Sequence, residues 1–292
     1  MGYRYRFLRF PEGRAKALTF SYDDGAMADA RLAEIFHKYG LKATFNVNGF
    51  ADEKNPGRLT AEEFKEKVLD LGHEIAVHGF AHRAPRKQRP IEVISDALDC
   101  RRALERQFGI IIRGMAYPDS GILTQVSAGT TYEQVKEYLK AMDIVYSRTL
   151  CGDNDGFDLP TDWHAWMPTA HHDNPKIDEY IDKFLGLDFS TDVYIAARQP
   201  RLFYMWGHAF EFDRHDNWDH LEHICERLSG KEDVWYATNI EICDYVRAYE
   251  SLVYSADRKI IYNPTLYKIW FDIDKKLYSI EPGETLRINE AL

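Results

Sequence analysis

The stretch Ala17-Leu-Thr-Phe-Ser-Tyr-Asp-Asp-Gly25 joins a mostly apolar run to two adjacent carboxylates and a glycine. A short apolar run that ends in a turn signal predicts a buried β-strand, here over Ala17–Tyr22. An amphipathic helix is predicted next, over Asp29–Tyr39, and a second strand over Ala43–Val47. A strand, a helix and a further strand in this order indicate a parallel βαβ unit, whose two strands end on the same face.

The alternation continues along most of the chain. Further strands are predicted at Glu74–Val77, Ile110–Ala116, Ile144–Tyr146, Leu202–Trp206 and Val234–Tyr236. Helices are predicted at Thr60–Leu71, Pro90–Phe108, Tyr132–Met142, Ile177–Leu185, Asn217–Leu228 and Glu241–Tyr254. About seven parallel strands separated by helices predict an α/β fold, a distorted (β/α) barrel rather than an open sheet.

The pattern changes after Ser255, where four short strands alternate with turn residues. Such a segment predicts a small antiparallel β appendage. We therefore predict two parts, a barrel over residues 1–255 and a short β-rich appendage over residues 256–292.

The composition excludes several classes of protein. The 292 residues include 47 Asp+Glu against 37 Lys+Arg, a net charge of -10, which argues against nucleic acid or an anionic membrane as a partner. No apolar run approaches the roughly eighteen residues of a membrane span, and Met1–Phe7 lacks the apolar region of a secretory signal. We therefore expect a cytoplasmic protein. Four widely spaced cysteines predict reduced, mostly buried thiols: Cys100, Cys151, Cys225 and Cys243.

Polar motifs follow four of the predicted strands. They are Tyr22–Gly25, Val77–His82, Arg113–Pro118 and Met205–His208. Because the carboxyl ends of barrel strands collect on one face, folding is expected to bring the four motifs together. This convergence points to chemistry more strongly than any one motif does.

His78 and His82 form the only His-x-x-x-His pattern in the chain. On one helical turn, this spacing places both imidazoles on the same side, which suits a divalent metal, although two surface histidines would look the same. Asp23 and Asp24 can divide the roles of base and metal ligand, or form an ordinary Asp-Asp-Gly turn. His208 is either a proton carrier or a buried core histidine.

Arg113 follows an isoleucine-rich run, where a guanidinium is costly unless it finds a carboxylate. An Asp of the first motif is the expected partner, and a surface arginine is the alternative. Most of the remaining histidines are expected to be solvated surface groups, although His171 or His172 could line the pocket: His171, His172, His215, His220 and His223.

The order of these motifs resembles that of the NodB-homology polysaccharide deacetylases, carbohydrate esterase family four, over roughly residues 17–254. Leu18–Gly25 is similar to the family's first motif, which implies Asp23 as catalytic base and Asp24 as metal ligand. His78 and His82 are similar to the second motif, which implies two further metal ligands.

The later motifs are similar as well. Arg113–Pro118 is similar to the third, which implies that Arg113 orients the base. Asp162 with Trp163 is similar to the fourth, in which the Asp supports the catalytic histidine, and Leu202–His208 is similar to the fifth, which implies His208 as general acid. The residues expected at the substrate are Tyr117, near which a backbone N–H would stabilise the oxyanion, and the aromatic platforms Trp163 and Phe210.

The chain also departs from the family's usual motifs. Tyr22 occupies the aromatic position of the first motif, and Gly79 stands where Ser or Thr usually follows the first histidine. Gly114 and Met115 occupy a turn that is usually rich in proline. These departures affect the expected geometry and substrate more than the expected reaction.

The resemblance implies a metal-dependent hydrolase that removes acetyl groups from N-acetylated or O-acetylated saccharides, with an Asp base, a metal-activated water and a His acid. Zinc suits an Asp-His-His site, and cobalt, nickel, manganese and iron remain open. Two alternatives are a hydrolase of small ring amides on the same fold and a catalytically inactive sugar-binding relative. The sequence does not indicate an oligomeric state.

Overall fold

The computed structural model describes residues 5–49, 57–119, 121–123, 132–150, 152–190 and 195–288. Its strands are β1 (Arg6–Arg9), β2 (Lys16–Asp23), β3 (Ala43–Val47), β4 (Glu74–Val77), β5 (Gly114–Ala116), β6 (Tyr146–Arg148), β7 (Ala170–His171), β8 (Arg201–Gly207), β9 (Val234–Tyr236), β10 (Val253–Tyr254), β11 (Ile260–Tyr262), β12 (Ile269–Ile273), β13 (Lys276–Ile280) and β14 (Thr285–Arg287). Its helices are α1 (Ala28–Lys38), α2 (Ala61–Phe64), α3 (Pro90–Phe108), α4 (Tyr132–Ala141), α5 (Ile177–Leu185), α6 (Ala209–His215), α7 (Trp218–Leu228) and α8 (Asn239–Glu250).

Eight strands form one curled sheet in which all the described pairings are parallel. The order is β6-β5-β4-β3-β2-β8-β7. Strand β9 also pairs with β2, over the first half of that strand, whereas β3 pairs with its second half. The predicted distorted (β/α) barrel is confirmed. Because all the strands run the same way, their carboxyl ends form one face of the molecule.

Strand β2 is the centre of the fold. All eight of its residues are buried, and it pairs with β8 from Lys16 to Tyr22. Helix α1 covers it with an apolar face, on which the ring of Phe36 lies 4.5 Å from that of Phe20. Each such buried aromatic side chain contributes about 1.5–3 kcal/mol through removal of apolar surface from water.

Local signals in the sequence set several helix ends. The Thr60 hydroxyl accepts a hydrogen bond from the Glu63 N–H, while the Glu63 carboxylate accepts one from the Thr60 N–H, a capping box that begins α2. A π-helical turn over Lys65–Leu69 continues this helix. Gly109, with a φ of 66°, takes the left-handed conformation that ends α3.

Other element bounds differ from the prediction. The strand expected over Ile110–Ala116 begins only at Gly114, and Ile111 is 77% exposed. The strand expected over Ile144–Tyr146 is found at Tyr146–Arg148. The last predicted helix ends at Glu250, because Val253–Tyr254 forms β10 instead. Short strands such as β1 and β7 were not predicted, since two to four residues carry too little periodicity.

Two small antiparallel sheets contain the carboxyl-terminal strands. One has the order β1-β12-β13 and the other β10-β11-β14. Together with one face of α8 they enclose a second apolar cluster that includes Tyr245 and Phe271. Strands from both sides of residue 255 therefore pair with each other, and the division into residues 1–255 and 256–292 stays a prediction.

Three of the four cysteines, Cys100, Cys225 and Cys243, are buried free thiols, as predicted, and Cys151 lies outside the described residues. None of the helices in the described part of the chain is long and apolar enough to cross a bilayer.

Gly207 ends β8 against the ring of His172. A Cβ atom at position 207 would lie 1.9 Å from His172 Nδ1, inside any permitted contact distance. His172 is fully buried and cannot move toward solvent. The absence of a side chain at 207 is thus what allows the end of β8 to pack against this histidine.

We predict that Gly207→Ala lowers the free energy of unfolding by about 1–3 kcal/mol, because the added methyl group overpacks a closed site. The measurement is urea unfolding followed by circular dichroism. Gly156→Ala is the matched control, since its nearest contact is 3.3 Å from the added carbon. Equal stability of the two variants would contradict this packing account.

Candidate active site

The carboxyl ends of three strands bring the expected polar groups together. Asp23 is the last residue of β2, and Asp24 follows it in the left-handed conformation with a φ of 83°. His78 directly follows β4, and His208 directly follows β8. Parallel pairing of these strands with β2 or its neighbour places all four side chains on one face.

Asp24, His78 and His82 form a compact cluster of possible metal ligands. Asp24 Oδ1 lies 3.7 Å from His78 Nε2 and 3.4 Å from His82 Nε2, and one ligand atom from each residue lies within 4.8 Å of the others. The Nδ1–H of His78 donates to the Ala116 carbonyl at 2.9 Å, so that its Nε2 presents a lone pair to the cluster. Two imidazole nitrogens and one carboxylate oxygen therefore fit a divalent ion.

A loop brings His78 and His82 together, so the expectation that they lie on one helical turn is wrong. His82 has a φ of 49°, and its ring centroid lies 4.9 Å from that of His78. Asp96 of α3 holds this loop, because its Oδ1 accepts the N–H of Ala81 at 2.9 Å. A Cβ atom at Gly79, which has a φ of 74°, would lie 2.6 Å from Asp96 Oδ2. This contact explains why glycine replaces the usual Ser or Thr.

Asp23 is buried beside a charged partner. Its Oδ2 accepts a 2.5 Å hydrogen bond from Arg148, and its Oδ1 accepts one from the Asn46 amide at 2.8 Å. Burial by itself raises the pKa of Asp23, but the charge of Arg148, with help from His78 and His208, outweighs it and lowers the pKa to about 2. Asp23 is therefore ionised throughout the neutral pH range.

The expectation that Arg113 pairs with the first motif is wrong. Arg113 precedes β5, which places it at the amino end of that strand, and it forms a bidentate pair with Asp244 at 2.8 and 2.9 Å. Arg148 binds Asp23 instead because it is the last residue of β6. One feature of the sequence could have identified Arg148: it closely follows the predicted strand Ile144–Tyr146, and residues at the carboxyl ends of the strands lie on the face that carries the site.

His208 lies near the second carboxylate oxygen of Asp24, Oδ2, whereas His78 and His82 lie near Oδ1. Its Nε2 is 4.0 Å from Asp24 Oδ2, and its Nδ1 is 3.3 Å from Oε2 of Glu211. Burial lowers the pKa of His208, but the contact with Glu211 and the charge of Asp23 outweigh burial, so the pKa is raised overall. The imidazolium form is thus favoured at this position.

Asp162 does not support His208, contrary to expectation. Its carboxylate accepts hydrogen bonds from the Tyr132 hydroxyl at 2.7 Å, from Lys136 at 2.6 Å and from the N–H of His164 at 3.0 Å. Asp162 begins a short turn after a long connection from β6, and α4 fixes its position. The sequence analysis did not identify Glu211, which lies beside His208 instead. Its only signal in the sequence is its position three residues after that histidine.

The three residues expected at the substrate have different positions. Tyr117 is fully buried: its hydroxyl donates to the His164 carbonyl and its N–H to the Arg148 carbonyl, so this N–H cannot stabilise an oxyanion. Trp163 packs edge to face against Trp166, with ring centroids 4.9 Å apart. The half-buried Phe210 ring lies 5.1 Å from that of His208 and is the one of the three beside the reactive groups.

Comparisons with known proteins are consistent with this geometry. Residues 10–137 match the family model for polysaccharide deacetylase. No curated protein matches the sequence.

Several solved structures share the fold at low sequence identity. A candidate polysaccharide deacetylase from Mycobacterium smegmatis is 16% identical, with a TM-score of 0.57 over 86% of this chain and 96% of its own. An allantoinase, Puue, is 14% identical, with a TM-score of 0.57 over 80% and 91% of the two chains. The Xyl-CE4 domain of a xylanase from the hindgut metagenome of Trinervitermes trinervoides is 16% identical, with a TM-score of 0.51 over 80% and 92%.

The three neighbours establish the shared fold, and the family model covers the segment that contains β2, β4 and the Asp-His-His cluster. Residues 10–137 of the chain are therefore similar in sequence to the polysaccharide deacetylase family, and the fold of that family extends over most of the chain.

Proposed function

We propose that this protein is a metal-dependent hydrolase that removes acetyl groups from N-acetylated saccharides. The observation that carries the proposal is the arrangement around Asp24: two histidines near its Oδ1, His208 near its Oδ2, and the ionised Asp23 close to His78. A base, a cation site and a proton donor are the three groups that metal-dependent amide hydrolysis uses.

Asp24, His78 and His82 would hold the divalent ion. Three protein ligands leave positions open for substrate and water, as in catalytic zinc sites, and the same ligands admit cobalt, nickel, manganese or iron. When bound, such an ion supplies Lewis-acid chemistry by acidifying water and polarising an acyl oxygen.

Asp23 is the proposed general base. Its Oδ2 lies 3.6 Å from His78 Nε2, so the carboxylate faces the proposed ion site. Arg148 and Asn46 hold the carboxylate in one orientation, and its low pKa keeps it free to accept a proton from attacking water. Arg148 is thus a positioning residue for the base.

His208 is the proposed general acid. An amine is a poor leaving group unless its nitrogen is protonated as the C–N bond breaks. Glu211 and Asp23 raise the pKa of His208, which favours the protonated ring, and its Nε2 lies 4.0 Å from Asp24 Oδ2. Proton transfer from Nε2 to the departing nitrogen would yield acetate and a free amino sugar. Phe210 lies beside this ring, where a sugar face could stack.

We predict that Asp23→Asn lowers acetate release from N-acetylglucosamine oligomers by about 100-fold or more, because the amide cannot accept the proton. The measurement is acetate production at matched protein concentration. Asp188→Asn, at an exposed position, is the control. Unchanged turnover in Asp23→Asn with intact folding would remove Asp23 as the base.

Metal analysis gives an independent prediction. The purified protein is expected to contain one divalent ion per chain, and His78→Asn or His82→Asn is expected to lose it together with acetate release. His223→Asn, on the exposed side of α7, is expected to retain it. Absence of a stoichiometric ion from active wild-type protein would contradict the proposal and favour the metal-free ring-amide alternative.

The two arginines provide a matched comparison. Arg148→Gln is expected to lower kcat for acetate release about tenfold or more, since it leaves the buried Asp23 without its charge partner. Arg113→Gln is expected to retain kcat, because its partner Asp244 lies at the other end of the sheet. Loss of kcat only in the Arg113 variant would restore the original assignment of the third motif.

A further inference from the structure

Glu211 of α6 has a carboxylate oxygen shared by two histidines of the site. Its Oε2 accepts the backbone N–H of His208 at 3.0 Å and lies 3.3 Å from His208 Nδ1. The same oxygen lies 3.1 Å from Nε2 of His171. Both rings therefore converge on one carboxylate oxygen.

The hydrogen-bond partners of His171 determine where its proton lies. The backbone N–H of Asp173 donates to His171 Nδ1 at 3.1 Å, so Nδ1 must carry a lone pair. The ring proton of neutral His171 is then on Nε2, from which it donates to Glu211. This tautomer is the opposite of that of His78, whose Nδ1–H donates to a carbonyl.

This tautomer argues against a second metal site. His171, His172 and Glu211 have ligand atoms within 4.8 Å of one another, as a metal site would. A cation at the center would need the Nε2 lone pair of His171, which requires a proton on Nδ1, directly against the Asp173 N–H. His171 is thus suited to donate a hydrogen bond to Glu211, not to hold a cation.

The surroundings of Glu211 keep its carboxylate in place. The side chain is 16% exposed, and the fully buried His172 lies next to it, with Nε2 at 3.5 Å. The His172 ring packs against both Phe212, at 4.3 Å between ring centroids, and Tyr22, at 5.7 Å. Burial also lowers the local dielectric constant, which strengthens the contact between the carboxylate and the ring of His208.

We propose that Glu211 is the positioning residue for the general acid His208, and that His171 in turn orients Glu211. The inference depends on the proposed function. His208 Nδ1 is not aligned for a hydrogen bond, but it lies 3.3 Å from the Glu211 oxygen that also accepts the His208 backbone N–H, so the carboxylate holds the Nδ1 edge of the ring toward α6. The Nε2 edge then lies on the side of Asp24. Glu211 thus supports His208, the role that was expected of Asp162. It does so from the first turn of α6, the helix that His208 caps.

A leaving-group comparison separates this role from a purely structural one. An acetylated amine needs a proton from His208 as it leaves, whereas 4-nitrophenolate leaves without one. A variant that impairs only the acid therefore loses amide hydrolysis and retains hydrolysis of 4-nitrophenyl acetate. A variant that distorts the site loses both.

We expect Glu211→Gln to lower kcat for N-acetylglucosamine oligomers about tenfold or more, with KM little changed and 4-nitrophenyl acetate hydrolysis retained. His208→Ala is the reference and is expected to show the same selectivity with a larger loss. Glu222→Gln, whose carboxylate binds Lys38 and Tyr39 at the surface, is the matched control. Equal losses on both substrates, or none on the amide, in Glu211→Gln would overturn the inference.

The His171 variants test the outer contact. His171→Gln retains an N–H donor toward Glu211 and is expected to keep most amide turnover, whereas His171→Leu removes the donor and is expected to lose it selectively. Two metal ions per chain in wild-type protein, with one lost in His171→Leu, would overturn the inference in favour of a second metal site. Full amide turnover in His208→Ala would instead overturn the proposed general acid itself.

Discussion

The ion pair between Asp23 and Arg148 requires the sheet to curl. Both side chains are almost fully buried, and the donor and acceptor atoms are 2.5 Å apart. Their strands, β2 and β6, are separated by β3, β4 and β5. Four steps of about 4.8 Å in a flat sheet would place the strand ends about 19 Å apart, beyond the reach of an arginine side chain. The pair therefore forms only in a curved sheet, and a curved sheet without it would bury an uncompensated carboxylate.

The same pair gives two adjacent aspartates different chemistry. Asp23 is enclosed by Arg148 and Asn46, which keeps it ionised and directs its carboxylate. Asp24 turns away in a left-handed conformation and meets His78 and His82 instead. Neighbouring residues in a strand point to opposite faces, and the turn at the end of β2 allows both to border one site. The backbone geometry at the end of β2, and not the residue type, therefore distinguishes the proposed base Asp23 from the proposed ion ligand Asp24.

The acid side of the site is built more locally. His208 and Glu211 are three residues apart, and the turn that begins α6 brings them together. The outer contact, from His171, comes from β7, a two-residue strand that pairs with the end of β8. Gly207 allows this pairing, because any side chain there would overlap His172. The position of the proposed base depends on the curvature of the whole sheet, whereas that of the proposed acid depends on one strand end and one helix turn.

The sequence by itself determined what local pattern controls, because strand ends and turn signals are visible in a single chain. It predicted the strand Ala17–Tyr22, which the structure extends by one residue at each end, the helix Pro90–Phe108 and the class of the sheet. It also indicated the candidate site residues Asp23, Asp24, His78, His82 and His208. Only the tertiary structure decided which distant partners meet. Arg148 rather than Arg113 reaches Asp23 because the two arginines stand at opposite ends of neighbouring strands. Asp162 accepts hydrogen bonds from Tyr132 and Lys136 of α4. The hydroxyl and the N–H of the buried Tyr117 both bind carbonyl groups of the fold. Pairing across more than a hundred residues depends on sheet curvature, which no local periodicity encodes.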